Sequence, residues 1–437
     1  MFYYNLNYQF ALPEGSPHGG GSIIVASAMT HQQLVRRQTK KIPHLARKLF
    51  DPQLYLSGLD VSTAKSAIEK LATHPWFCVQ KVAPYDSNAT TLLDWKKASA
   101  EEIRGQWTKT VPEADTEIKS AIVAAVTLQI QLEVESIILP VPLIETPHDG
   151  FDTAANWIDI GIAVCKELAV KQPVYATLAI PDYILRMAAS VREPLLNAAT
   201  GHVTARARLA GAYLVVEQGS ESGYVLKSAD TCAAILTIVD DLVRGGKKKV
   251  IVNYAGPFGV VAAALGATIW ASNFYRKARR MRLNDFDDAG GMVFPRYFSA
   301  PLLGDVSPDG DLDLLAQSGA FKLVETATAA AATLNAALRA KQRVSTVPAW
   351  AYEQNNRTAS WLHYNEVMMM LATAVDGTSP EKRVAVMHEQ LRNAAALAKT
   401  LKSSKPGLSQ RSDLDHQETW LRVFEQWMQS AGQSLTP

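Results

Sequence analysis

Cysteine is scarce in this chain: three residues in 437, Cys78, Cys165 and Cys232, lie far apart and form no Cys-x-x-Cys pair. That excludes a disulfide-stapled secreted scaffold and a cysteine-based zinc knot, and the expectation is a reduced, cytoplasmic protein. Long apolar runs are missing as well. No stretch reaches the roughly 18 residues that a membrane span needs. The first 21 residues are aromatic with Pro and Gly, and lack the basic flank and apolar centre of a signal peptide. Charge of one sign is also lacking. A net charge of +2 gives no bulk attraction for polyanions, so any nucleic-acid surface has to be local.

Several chemical signatures are absent. There is no Walker loop, no dinucleotide fingerprint behind the first strand, no His-Glu-x-x-His and no Cys/His cluster with zinc-ligand spacing. No cofactor is expected. A divalent metal stays open, with His31 and His148 as the available imidazoles.

What the sequence does contain is a repeating alternation. With 48% hydrophobic and 20% charged residues, a chain of this length can bury a large core without staples. Strand signals fall at 22–27, 53–57, 76–79, 136–140, 173–180, 212–216, 249–253 and 268–271, with helix-compatible segments between them. In the helix predicted over 229–244, Cys232, Ile235, Leu236, Val239, Leu242 and Val243 share one face, and Gly245-Gly246 is placed to close it in a left-handed turn. Strands apolar on both faces that alternate with amphipathic helices make a buried parallel sheet. Eight of them favour closure into a (β/α)8 TIM barrel over an open sheet of six or seven strands.

The expected organisation is an N-terminal arm over 1–21, the barrel over 22–280, and a turn-rich connection with an all-helical extension over 281–437. In the extension, an Ala-rich helix is predicted over 320–341. Another over 381–401 places Val384, Met387, Leu391, Ala394 and Leu401 at near-heptad spacing. Such stripes pack on the barrel, hold a protein partner, or pair with a second copy.

In barrels the chemistry sits where strands end and the βα loops begin. That rule selects four candidate catalytic carboxylates, Asp60, Glu145, Asp182 and Glu217. Asp182 and Glu217 leave neighbouring strands, about 4.8 Å apart. Two carboxylates at such a mouth can divide into a proton donor and a base or nucleophile, as glycosidic-bond chemistry requires. Asp182 is equally placed to cap the helix that follows it. Glu217 directly ends an apolar strand and is the stronger candidate.

Two further groups suit a phosphate. Asn253, Tyr254, Gly256 and Gly259 form a glycine-bearing turn before a short helix, where a backbone can approach an anion closely. Asn273, Tyr275, Arg276, Lys277, Arg279 and Arg280, with Arg282 ending the run, make a basic patch just past the eighth strand. Its alternatives are phosphate neutralisation and a solvated face paired with Asp285, Asp287 and Asp288.

The segment 249–281, with Gly256, Gly266 and Tyr275-Arg-Lys-Ala-Arg279, resembles the last two barrel units of tRNA-guanine transglycosylases. That resemblance implies a nucleoside or nucleic-acid substrate. The family's zinc subdomain has no counterpart here, and the strand bearing Trp270 ends in Ser272-Asn273 without an aspartate nucleophile, so only the substrate class carries over. The expectation is a transferase or hydrolase acting on a phosphate-bearing nucleotide or nucleic acid. The alternative is a non-catalytic barrel that binds nucleic acid or scaffolds a complex through its C-terminal helices.

Overall fold

Eight parallel strands hydrogen-bond in the order β3-β2-β1-β8-β7-β6-β5-β4, so neighbours in sequence are neighbours in the sheet except where β8 meets β1. They are β1 (Phe2–Leu6), β2 (Gly21–Val25), β3 (Lys48–Asp51), β4 (Ile137–Ile138), β5 (Val174–Pro181), β6 (Leu209–Glu217), β7 (Lys249–Asn253) and β8 (Ile269–Ser272). The two outer strands close on each other where the Glu135 amide donates to the Lys48 carbonyl at 3.0 Å. The result is a (β/α)8 TIM barrel with helices around it. This computed structural model describes residues 1–6, 12–17, 19–37, 45–60, 62–77, 111–147, 150–221, 223–288, 294–351, 357–403 and 407–431. Cys78 and His148 lie outside the described residues.

Three strands differ from the sequence reading. The start of the supposed N-terminal arm is β1, wholly buried and paired with both β2 and β8. The stretch expected as a strand over 53–57 contains a 3-10 turn, Leu54–Leu56, and the strand is the preceding Lys48–Asp51. Trp76 and Phe77 belong to another 3-10 turn, with Trp76 packed edge-on against Phe50; residues 78 and 79 lie outside the described residues.

The four later strands sit within a few residues of their predicted positions because their ladders are long. Residues Val174–Pro181 of β5 pair with Leu209–Glu217 of β6 over nearly their whole length. Between β6 and β7, helix Ala229–Asp240 is capped by Ser228, whose hydroxyl accepts the Thr231 amide at 3.3 Å. The predicted apolar face is buried there. The expected glycine cap is not: a π-turn, Asp241–Gly245, follows, and Lys247 takes the left-handed conformation with φ of 51°.

Helices Thr358–Asp376, Pro380–Ser403 and Gln417–Ser430 contribute to the same core as the barrel. Of the near-heptad residues, Met387, Leu391 and Ala394 are buried in the barrel's core, as the barrel-packing reading has it, and Leu401 is buried in a second core. The Ala-rich stretch yields only one short helix, Ala332–Arg339, not the long one expected over 320–341. That helix joins the same second core, under an antiparallel pair, β9 (Tyr297–Ser299) and β10 (Gly304–Val306).

Candidate active site at the barrel mouth

After β8 the chain crosses the C-terminal mouth of its own barrel. Arg280 bridges to Ala255 behind β7, Met281 bridges to Glu217 at the end of β6, and the Gln218 amide donates to the Met281 carbonyl at 2.8 Å. Further on, Leu283 packs over Gly58, the Thr63 hydroxyl donates to Asp287 at 2.5 Å, and Asp288 accepts the Ser66 amide at 3.1 Å. This strap therefore runs from β8 to the loop behind β3. Glu217 and the arginine segment share one rim.

Glu217 ends β6 opposite Pro181, next to Asp182, and is 7% exposed. Burial pushes its carboxyl above the usual range, and the Asp182 charge adds to that. The Leu283 and Gly219 amides and the Arg282 guanidinium pull the other way. Gly219 lies close against this carboxylate: a Cβ there would stand 2.8 Å from a Glu217 oxygen, so a larger residue would displace the Glu217 head.

Asp182 is fully buried, and both its oxygens lie 3.1 Å from the Ser220 amide. It is held in place rather than presented to a substrate. Tyr183 is exposed and its hydroxyl donates to the Glu145 carbonyl, which brings Glu145 to the same sector with its side chain in solvent. Asp60 is elsewhere. It accepts the Ser62 amide and hydroxyl at 2.8 and 2.7 Å, ordering the turn before helix Lys65–Leu71.

The basic patch is largely neutralised. Arg276 lies against Asp305 and Asp413, Arg279 binds Asp305 at 2.8 Å, and Arg280 binds Asp285 at 2.7 Å. Burial alone would raise the Asp305 carboxyl, yet Arg279, Arg276 and Arg296 around it hold it below its ordinary value. Arg279 also lies 3.6 Å over the Tyr364 ring, and both Arg276 and Arg280 face the Tyr224 ring. Tyr275 stacks with Phe274 and Trp361. Lys277 is exposed. The remaining arginine of the run, Arg282, differs from the others. It is near enough to Glu217 to influence it, its buried Nε has no hydrogen-bond partner, and it forms no ion pair among the described residues.

The glycine turn is covered. Gly256 takes φ of 54° under the Arg279 backbone, Gly259 packs on Trp270, and Phe258 packs against Trp420 at 5.2 Å. The following helix, Gly259–Ala264, is buried throughout.

Asn253, Tyr254 and Asn273 are buried instead in a hydrogen-bonded network that includes a carboxylate the sequence reading missed, Asp51. It accepts the hydroxyls of Tyr55 at 2.5 Å and Tyr213 at 2.6 Å, and the Gln53 amide at 2.9 Å. Asn253 donates to the Tyr213 hydroxyl at 2.5 Å and accepts from Asn5 at 3.1 Å, while Gln53 donates to Tyr254 at 3.0 Å. Asn273 donates to the Asn5 carbonyl. Gln53 and Tyr254 both have left-handed backbones, with φ of 53° and 61°, strain of the kind that gathers at functional sites. Burial drives the Asp51 carboxyl up to about 6 despite its donors.

Among the described residues no three His, Cys, Asp or Glu side chains group to hold a metal ion, and no helix is long and apolar enough to cross a membrane. Comparison of the chain with protein-family models, curated proteins and solved structures returned no match.

Proposed function

We propose that the chain is a barrel enzyme, a hydrolase or transferase, whose reacting centre is the β5–β6 sector of the mouth, and that its substrate is a phosphate-bearing nucleotide. The carrying observation is the pairing at one rim of Glu217, a carboxyl biased toward its protonated form, with Arg282, a guanidinium that has no ion-pair partner among the described residues. A carboxyl whose proton affinity is raised is suited to donate a proton to a leaving group. A guanidinium beside it suits a substrate phosphate or carboxylate. Asp182 acts as a positioning residue, its charge keeping the proton on Glu217.

The substrate is nucleotide-sized in this reading because Arg276, Arg279 and Arg280 are already paired, leaving no continuous basic track for a long nucleic acid. Cleavage or exchange of a glycosidic bond is the reaction class, and buried free thiols at Cys165 and Cys232 fit a cytoplasmic setting. The test is base release from a panel of nucleoside 5′-monophosphates and their unphosphorylated nucleosides, followed by chromatography. Turnover of the phosphorylated forms, abolished in Glu217→Gln and with a raised KM in Arg282→Gln, supports the assignment. Wild-type rates in Glu217→Gln overturn the mechanism, and equal rates on nucleosides overturn the role of phosphate.

A second reading draws on the strap, which lies across the mouth where a substrate would enter. It makes the barrel a non-catalytic subunit that docks a protein partner on exposed apolar side chains such as Met370 and Val386. Partner binding lost in Val386→Asp, with Glu217→Gln silent, is its signature.

A further inference from the structure

The second core holds a cavity of about 110 Å³ that belongs neither to the barrel mouth nor to the Asp51 network. Arg296 lines it, between walls of Phe294, Pro308, Val344 and Trp350, with Ser345 at its exposed edge. Val344 and Trp350 are buried and Phe294 reaches solvent, so the pocket runs from the surface into the core beneath β9 and β10.

Its electrostatics are unbalanced. The described hydrogen bond of the Arg296 guanidinium goes to the Arg411 carbonyl, at 2.5 Å, and no carboxylate pairs with it among the described residues. Asp313, which also lines the pocket, spends one carboxylate oxygen on the Val344 amide at 2.7 Å. The neighbouring acids Asp305 and Asp413 are held by Arg276 and Arg279. One wall is the π-turn Pro308–Leu312, a backbone form that recurs at functional sites.

We infer that this cavity is a binding site for a small organic carboxylate, whose anionic head pairs with Arg296 and whose short branched tail fills the space between Phe294, Pro308, Val344 and Trp350. Planar guanidinium matches planar carboxylate, and the apolar walls reward a hydrocarbon tail that an inorganic anion lacks. Burial, with Arg276 nearby, lowers the proton affinity of Arg296, a cost that a bound anion relieves.

The experiment is calorimetric titration of the full chain with sodium isovalerate, beside sodium phosphate at equal ionic strength and the neutral 3-methylbutan-1-ol. Saturable binding of isovalerate is expected, with phosphate and the alcohol at least about tenfold weaker, the scale of a charged hydrogen bond. Arg296→Gln removes the cation, and Ser345→Trp blocks the pocket from an exposed position that leaves the core intact. A loss of at least about tenfold in either folded variant supports the site. If Arg296→Gln does not fold, Ser345→Trp decides. Absence of saturable isovalerate binding, equal affinity for phosphate or the alcohol, or unchanged affinity in the folded variants overturns it.

Discussion

Two carboxylates end strands of the same barrel, Asp51 on β3 and Glu217 on β6, and have opposite surroundings. Glu217 sits at the rim, beside a second acid and an arginine with an unpartnered Nε. Asp51 is buried, its oxygens satisfied by two phenols and an amide. Burial raises both carboxyls. Raised proton affinity therefore does not by itself mark a reacting group. What separates them is how much of the surrounding hydrogen-bonding capacity is already used: the β3 group is locked into a network, whereas the rim group stands beside a guanidinium with capacity to spare.

The sharpest way to break this contrast is Glu217→Gln. Turnover should fall about 100- to 10,000-fold, the range for a lost general acid, with the melting temperature nearly unchanged. A large loss of stability instead would make Glu217 a structural group like Asp51.

The β3 group is tested through pH. The Asp51 carboxyl moves from 3.8 to about 6 on folding. Its protonated form is the one the fold favours, so its contribution is fully present below the unfolded value and is lost as pH rises through about 6. Denaturant unfolding of the protein should carry a fall of about 2 kcal/mol between pH 4 and pH 7 that Asp51→Asn lacks. Identical pH profiles for the two would show that Asp51 ionises freely.

Tyr213→Phe deletes the hydroxyl that serves both Asp51 and Asn253. It should cost about 1–3 kcal/mol in urea unfolding through the partners left unsatisfied. A change near zero would mean the network tolerates gaps. The smallest effect is expected for Lys277→Ala, an exposed cation on the strap, at within about 0.5 kcal/mol by the same measurement.

The half of the barrel from β5 to β8 was legible in the sequence because its strands are apolar runs bounded by Pro, Gly or Asn and joined by periodic helices. The other half was not. β1 reads as a short aromatic arm because the Pro- and Gly-bearing sequence before β2 carries no helical periodicity; helix Thr358–Asp376 packs against it from far along the chain. Residues 53–57 alternate like a strand, but Gln53 turns left-handed and Leu54–Leu56 coil into a 3-10 turn. That slip placed Asp51 ahead of a strand rather than at the end of one, so the rule that found Glu217 and Asp182 passed it by. The arginines were visible as a run, yet their partners Asp305 and Asp413 come from distant sequence that no local pattern connects to them.

The position of β1 has a bearing on how the protein is made. Phe2 pairs with Trp270, and the Met1 amino group donates to the Thr268 carbonyl at 3.1 Å. This strand must wait for a partner synthesised 267 residues later, a delay long in sequence and slow to resolve. During translation this aromatic segment can pair with β2, but its own other edge, which β8 covers, stays unpaired. A barrel arranged this way ties completion of its ring to the arrival of β8, so truncation before that point should leave an open, sticky sheet rather than a smaller stable fold.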